Sequence, residues 1–196
     1  MPINDLTYYI RTYDHNLDAD LCRRMIDSFN SLERFQQRNG REVRAGLEGS
    51  AWTEINVGKI ADANFMVMFR GLVDAALAQY NRDLALAMPI PNSGMFSGMV
   101  MKRYRANAVE QFQLHFDAVN QYARRYLVLL WYLNDVERGG ETRFPQLDVA
   151  VAPQAGRLLM FPPYWMYQHE GMPPVSGDKF IISTYLLFDD TAPPAS

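Results

Sequence analysis

The chain has 196 residues, enough for one domain with a sizeable core, and its apolar (48%) and charged (21%) fractions are ordinary for a globular protein. The net charge of −3, with basic residues no more clustered than short pairs, argues against broad binding to nucleic acid or membrane, though not against a small acidic ligand. Cys22 is the only cysteine, which excludes an internal disulfide and a thiolate metal cluster. No apolar run approaches the roughly 20 residues of a membrane span. No signal peptide is evident either, so we expect a cytoplasmic protein.

The first half of the sequence predicts a short strand and two helices. Residues 6–13 have the pattern of a strand, and the polar turn after them holds His15, which we interpret as a solvated loop histidine. Asp18 or Asp20 can cap the first helix. Its apolar residues recur near helical spacing at Leu21, Met25, Phe29, Leu32 and Phe35. A second helix is predicted over 61–86, with apolar positions at Phe65, Phe69, Leu72, Val73, Ala76 and Tyr80.

The segment between the two helices is polar and lacks a clear period. Residues 37–50 include three glycines and predict a mobile loop, which is either a lid or a surface connector. Residues 51–57 then predict a short strand that contains Trp52.

The second half of the chain is strand-like. After a Pro- and Gly-containing stretch that ends the second helix, short apolar segments follow at 95–104, 112–117, 126–133, 148–152, 157–161 and 179–188. Helices first and strands later predict an α+β protein, in which a double-sheet roll carries the N-terminal helices on one outer face. We expect a single domain over 1–196, with helical support at about 17–88 and the roll at about 95–188.

Three residues have the composition of a metal site. His115, Asp117 and His169 are two histidines and one carboxylate, a set that suits a non-haem Fe(II) oxygenase because it leaves coordination positions open. On a strand, residues two apart share a face and lie roughly 6.6 Å apart, so the first two side chains can converge on one ion. On a helix the same pair would diverge. The metal interpretation therefore predicts a strand at 112–117 and a distant strand for His169.

These residues belong to an ordered set of motifs between about 99 and 188. In chain order they are Tyr104, His115-Phe116-Asp117, Arg125, Tyr132 to Val136, Gly139 to Pro145, Pro153 to Gly156, and finally His169 with Lys179 ten residues later. The set resembles the 2-oxoglutarate- and Fe(II)-dependent dioxygenases, most closely the prolyl 4-hydroxylase-like branch. The sequence departs from the family between Tyr104 and His115, which lie eleven positions apart where the family usually has nine.

The resemblance implies a double-stranded β-helix, or jelly roll, with Fe(II) bound by His115, Asp117 and His169. It also implies a reaction in which 2-oxoglutarate and O2 are co-substrates, succinate and CO2 are released, and the substrate is hydroxylated. Ascorbate often supports such enzymes. The presence of Asp117 argues against a halogenase, and the lack of paired arginines after His169 argues against a nucleic-acid dealkylase.

The resemblance also assigns the co-substrate site. Lys179 is expected to pair with the distal carboxylate of 2-oxoglutarate, and Ser183 would share its strand face. Tyr104 matches the family tyrosine that hydrogen-bonds the co-substrate, with core packing as the alternative. Thr142 matches a position that can reach the co-substrate, with a turn threonine as the alternative.

Substrate recognition is the most open part of the interpretation. Trp165 and Tyr167 are candidates for an aromatic wall beside the substrate, and Arg125 either binds substrate or forms a surface ion pair. The leading hypothesis is hydroxylation of a peptidyl residue, proline by resemblance, and the nearest alternative is the same chemistry on a free amino acid or small molecule. A non-catalytic binding module is an alternative of another class, and a cupin-type metal isomerase would leave Lys179 unexplained.

Overall fold

The computed structural model describes residues 5–106 and 108–189, which form two α-helices, six short 3-10 helices and eleven strands. The helices are α1 (Ala19–Ser31) and α2 (Ala63–Leu84). The strands are β1 (Arg11–Tyr13), β2 (Gln37–Gly40), β3 (Ala51–Asn56), β4 (Val100–Tyr104), β5 (Phe112–His115), β6 (Arg125–Tyr132), β7 (Thr142–Phe144), β8 (Val149–Val151), β9 (Leu158–Phe161), β10 (His169–Gly171) and β11 (Lys179–Leu187). In the described part of the chain, no helix is both long and apolar enough to cross a membrane.

The strands build two antiparallel sheets, an architecture consistent with the predicted jelly roll. The larger sheet has seven strands in the order β1-β9-β6-β11-β4-β3-β2, and the smaller has four in the order β5-β10-β7-β8. Two registers position the site. Lys179 of β11 lies opposite Tyr104 of β4, and His169 of β10 lies opposite His115 of β5.

Side chains of the large sheet alternate between two hydrophobic clusters. On β6, Leu127, Leu129 and Trp131 belong to a cluster that also contains buried residues of α1 and α2. Val128 and Tyr132 belong to a second cluster that contains residues of both sheets. This alternation follows from the period of two along a strand. Trp131, near the end of the apolar strand β6, is fully buried.

The helices form where the apolar spacing predicts them. The Asp18 carboxylate caps α1 by accepting hydrogen bonds from the amides of Asp20 and Leu21. Phe29 of α1 meets the ring of Phe180 edge-on at 5.6 Å, and Phe69 of α2 meets Trp131 at 5.0 Å. Full burial of each such phenylalanine contributes about 2–3 kcal/mol.

Several element boundaries differ from the predictions. Leu6–Tyr9 is a 3-10 helix and only Arg11–Tyr13 is a strand, because the Asp5 carboxylate accepts the Thr7 amide and favours a turn. Gln37–Gly40 is a strand paired with β3, so the predicted loop is shorter. Strand β5 ends at His115 and does not reach Asp117. The strand predicted for His169 is present as the short β10, whereas no strand was predicted at β7.

Candidate metal centre and co-substrate chamber

His115, Asp117 and His169 converge, although they come from two strands and a loop. Each offers one ligand atom, and the three atoms lie within 4.8 Å of one another. Oδ1 of Asp117 lies 3.5 Å from Nε2 of His115, and Oδ2 lies 3.5 Å from Nε2 of His169. This spacing lets a single divalent ion contact all three residues.

The histidines are oriented by the backbone. Nδ1 of His115 lies 2.8 Å from the Gln113 carbonyl oxygen, and Nδ1 of His169 lies 3.1 Å from that of Tyr167. Because a carbonyl only accepts, Nδ1 carries the proton in both rings and Nε2 presents a lone pair. Burial and the neighbouring His115 lower the pKa of His169 to about 4, which keeps it neutral, the form that ligates a metal.

The Asp117 carboxylate is buried, and its two oxygens differ in their hydrogen bonds. Its Oδ1 accepts a hydrogen bond of 2.9 Å from the Tyr185 hydroxyl, whereas its Oδ2 has no hydrogen-bond partner among the described residues. Burial alone would raise the pKa of this carboxyl, but the proximity of the His115 and His169 imidazoles and of the Arg125 guanidinium holds the pKa below its ordinary value. An orphaned anionic oxygen facing two imidazole lone pairs fits a metal ion, and the donor set suits Fe(II).

A chamber beside these residues contains a buried lysine. Lys179 is 2% exposed; its ammonium donates to the Gly140 carbonyl at 2.9 Å and lies 4.6 Å from the centre of the Tyr104 ring. No carboxylate forms an ion pair with it among the described residues. Burial lowers the pKa of Lys179 to about 7. A buried cation without a counter-ion, in the same chamber as the metal ligands, fits an anionic ligand.

The other predicted co-substrate residues line the same chamber. Tyr104, Thr142 and Ser183 are buried and face it, the last on the same face of β11 as Lys179. Oγ1 of Thr142 accepts a hydrogen bond of 2.6 Å from the Tyr132 hydroxyl. The hydroxyl proton of Thr142 is then free to point toward a ligand.

The predicted substrate residues fall in three different places. Trp165 is 65% exposed. Tyr167 is buried in the cluster between the sheets, where its hydroxyl donates to the Leu6 carbonyl, and it is not among the chamber residues. Arg125 is not an isolated surface charge: its guanidinium lies 4.1 Å from the Tyr122 ring and 3.7 Å from the Tyr185 ring and donates to the Asp117 carbonyl.

Three polar residues in or next to the chamber were given no role from sequence. Tyr185 contacts Asp117, Tyr132 contacts Thr142, and Lys102 lies on the chamber face of β4. A strand-period count would have indicated two of them, since Tyr185 is six residues after Lys179 and Lys102 is two before Tyr104.

Comparison with known proteins assigns the family. Residues 99–187 match the 2OG-Fe(II) oxygenase superfamily. The matched segment, which contains all the predicted metal ligands and co-substrate residues, belongs to that superfamily. Membership, together with the His115, Asp117 and His169 group, implies Fe(II) and 2-oxoglutarate as cofactor and co-substrate of this oxygenase. No curated protein sequence matches the chain.

Solved structures of prolyl hydroxylases share the fold of this oxygenase. A Pseudomonas putida prolyl-4-hydroxylase is 19% identical with a TM-score of 0.67, over 93% of this chain and 94% of its own. The viral collagen prolyl hydroxylase of Paramecium bursaria Chlorella virus-1, in its 2OG complex, is 19% identical with a TM-score of 0.61, over 90% and 94%. A Trichoplax adhaerens prolyl hydroxylase bound to a peptide fragment of hypoxia inducible factor is 15% identical with a TM-score of 0.70, over 92% and 84%.

Proposed function

We propose that the chain is one oxygenase domain that hydroxylates a peptidyl residue, proline in the first instance, with Fe(II) and 2-oxoglutarate. The observation that carries the proposal is the buried Lys179, which has no carboxylate partner among the described residues and shares a chamber with His115, Asp117 and His169. Metal ligands and a buried cation in one chamber are what a chelating dicarboxylate requires. The structural likeness to prolyl hydroxylases supports proline as the first substrate to test.

His115, Asp117 and His169 would hold the iron. With 2-oxoglutarate and O2, the bound iron would supply the oxidation in which one oxygen atom enters the substrate as a hydroxyl, the other enters succinate, and CO2 is released. Lys179 would bind the distal carboxylate through a charge-assisted bond. Tyr104 would donate a hydrogen bond from its hydroxyl to the same carboxylate. Thr142 would donate its own hydroxyl proton, which is free because its oxygen accepts from Tyr132. Ser183 would add a hydroxyl from the neighbouring position on β11.

Aromatic residues would keep water from the metal centre. The ring of Phe112 stacks on His115 at 4.1 Å, and the rings of Phe161 and Phe144 lie 4.7 and 5.6 Å from that of His169. An enclosed, apolar surround strengthens the electrostatic contacts inside it. It also restricts rotation of both imidazoles, so the ligand geometry is set before the metal binds.

Exposed residues near the metal ligands are the candidates for substrate contact. The Pro163 carbonyl accepts the amide of Asp117, and Trp165 follows two residues later with most of its surface exposed. Exposed aromatic rings are typical of binding surfaces. We propose that Trp165 contacts an extended peptide and that Arg125, stacked between two tyrosines, acts mainly by positioning Asp117.

The test is incubation with Fe(II), 2-oxoglutarate and O2 together with proline-containing peptides and, separately, free proline. The expected result is a mass gain of one oxygen atom on the peptide and an equal amount of succinate. If free proline is oxidised and the peptides are not, the substrate is a small molecule. Absence of succinate under every condition, with the protein folded and metal bound, would favour a non-catalytic binding module.

A variant assay tests the assignment of Lys179. Lys179→Met keeps the length of the side chain and removes its charge, so the KM for 2-oxoglutarate should rise roughly tenfold or more while the KM for the peptide changes little. Lys59→Met is the matched control because Lys59 is exposed and distant in sequence from every chamber residue. Equal effects on both KM values would contradict the carboxylate assignment.

A further inference from the structure

Lys102 is a second cation in the chamber, and the proposed function does not use it. The chain has three lysines, and two of them, Lys102 and Lys179, line the chamber that contains the metal ligands. Lysine is costly to bury without a partner. Lys102 is half-buried, and a second ammonium in this chamber therefore calls for an explanation.

Lys102 has the carboxylates of Glu54 and Asp117 in its neighbourhood, but it forms no ion pair with either among the described residues. Its Nζ lies 5.3 Å from the centre of the Trp52 ring and 5.2 Å from that of Phe112. No hydrogen bond or ion pair holds it among the described residues. Glu54 is the cross-strand neighbour of Lys102, but its two oxygens already accept hydrogen bonds from Asn39 Nδ2 at 2.9 Å and Trp52 Nε1 at 2.6 Å.

The register places Lys102 one step from the Lys179 site. Tyr104 lies opposite Lys179 on β11, and Lys102, two residues earlier on β4, lies opposite Ile181. Residues two apart on a strand share a face and are separated by roughly 6.6 Å. The two carboxyl carbons of 2-oxoglutarate are separated by four bonds of about 1.5 Å each, which is about 5 Å after allowing for bond angles. A dicarboxylate of that length can meet both ammonium groups.

We propose that Lys102 binds a carboxylate beside the metal centre. This inference rests on the proposed function. The first source is the metal-proximal carboxylate of 2-oxoglutarate, so that Lys102 and Lys179 each bind one end of the co-substrate. The second source is a carboxylate of the primary substrate, which would restrict that substrate to acids. The shared chemistry is a charge-assisted bond from an ammonium to a carboxylate in an enclosed site.

The test uses the wild-type chain labelled with 13C at lysine Cε, which gives three cross-peaks. Lys59→Met, Lys102→Met and Lys179→Met each remove one peak and so assign it; if Lys102→Met fails to fold, the other two variants assign all three. Zn(II) replaces iron to keep the protein diamagnetic. The titrants are 2-oxoglutarate and then, on the 2-oxoglutarate-saturated protein, acetate.

Movement of both the Lys102 and Lys179 peaks with 2-oxoglutarate would establish the co-substrate as the source. The 2-oxoglutarate affinity of a folded Lys102→Met protein should then be roughly tenfold weaker or more, with Lys59→Met unchanged. If the Lys102 peak moves only with acetate, and reaches saturation, a carboxylate of the primary substrate is the source. If Lys179 moves and Lys102 responds to neither titrant, the inference is overturned and the proposed function stands. If neither peak moves with either titrant, both this inference and the proposed function are contradicted.

Discussion

The two carboxylate oxygens of Asp117 have different surroundings. Tyr185 donates to Oδ1, whereas Oδ2 faces Nε2 of His169 with no hydrogen-bond donor among the described residues. The Arg125 guanidinium donates to the backbone carbonyl of Asp117, and Pro163 accepts its amide. These contacts fix the carboxylate after β5 has ended, so a metal ligand can lie outside a strand without losing its position.

Removal of that carboxylate should weaken metal binding while leaving the fold. Asp117→Ala takes one of three ligands from the centre, and we expect metal affinity to fall by roughly a hundredfold or more and hydroxylation to be lost. Mn(II) binding followed by electron paramagnetic resonance, with circular dichroism for the fold, measures both effects. Asp27→Ala, an exposed carboxylate on α1, is the control. Full activity in Asp117→Ala would exclude this group as the metal centre.

The charge of Lys179 should make co-substrate binding depend on pH. Burial lowers the pKa of Lys179 to about 7 in the ligand-free protein. A bound carboxylate favours the charged amine and raises that pKa, so binding takes up a proton above pH about 7 and none well below it. The Kd for 2-oxoglutarate should therefore be flat below about pH 7 and should rise up to about tenfold per pH unit above it.

Calorimetric titration of 2-oxoglutarate at several pH values measures this dependence. Lys179→Arg is the control, because a guanidinium stays charged throughout the range and should reduce the pH dependence. His169 does not interfere, since its pKa of about 4 lies well below that range. A Kd that is constant across pH about 7 in the wild type would contradict the assignment of Lys179.

At the scale of elements, a glycine turn ties the N-terminal segment to the large sheet. Gly156, just before β9, has φ of +77°, and its carbonyl accepts the Leu17 amide at 3.1 Å. A Cβ at this position would collide with the Leu17 carbonyl. Gly156→Ala should lower the free energy of unfolding by about 1–3 kcal/mol, measured by urea denaturation. Gly177→Ala has open space and an ordinary φ, so it should change stability little; equal losses in both variants would contradict this account.

The loop between β2 and β3 lies against the strand that carries His115. The Gln113 side chain donates to the Gly46 carbonyl and accepts the Gly49 amide, both at 2.8 Å, while the Ser50 hydroxyl accepts the Gln113 amide. A ten-residue loop held by side chains over a functional strand can serve substrate binding. Whether this loop is a lid stays a prediction.

Replacement of residues 41–50 by an Asn-Gly turn should test that prediction, since Gly40 and Ala51 are already opposite each other in register. We expect the peptide KM to rise several-fold while succinate formation without peptide continues. Succinate and peptide hydroxylation are measured in parallel on the same protein. Loss of both activities would show that the loop stabilises β5 and has no separate role in substrate binding.

Local sequence signals predicted the elements unevenly. The two helices followed from apolar spacing and from the Asp18 cap, because helical contacts are local. Gln37–Gly40 looked like loop because its residues are polar and its pairing partner, β3, lies beyond a ten-residue connection. The three-residue strands β7 and β10 are too short to show a period of two, and their pairing with each other defines them.

At the scale of the whole molecule, the sequence predicted which metal-ligand candidates converge better than it predicted the residues around them. His115 and His169 are 54 positions apart in the sequence, and only the register of β5 with β10 shows that they are neighbours. The family resemblance supplied that pairing in advance. Lys102 and Tyr185 carry no motif of their own, and only their spacing from Tyr104 and Lys179 along β4 and β11 indicates that they face the chamber.

The most direct test of the account is anaerobic titration of Fe(II) into the metal-free protein in the presence of 2-oxoglutarate. We predict a weak visible charge-transfer band from the metal-bound co-substrate, which disappears when O2 is admitted as succinate forms. The band should be absent in Asp117→Ala and unchanged in Asp27→Ala. A folded wild-type protein that gives no band at saturating Fe(II) and 2-oxoglutarate would contradict the central claim that this chamber binds both.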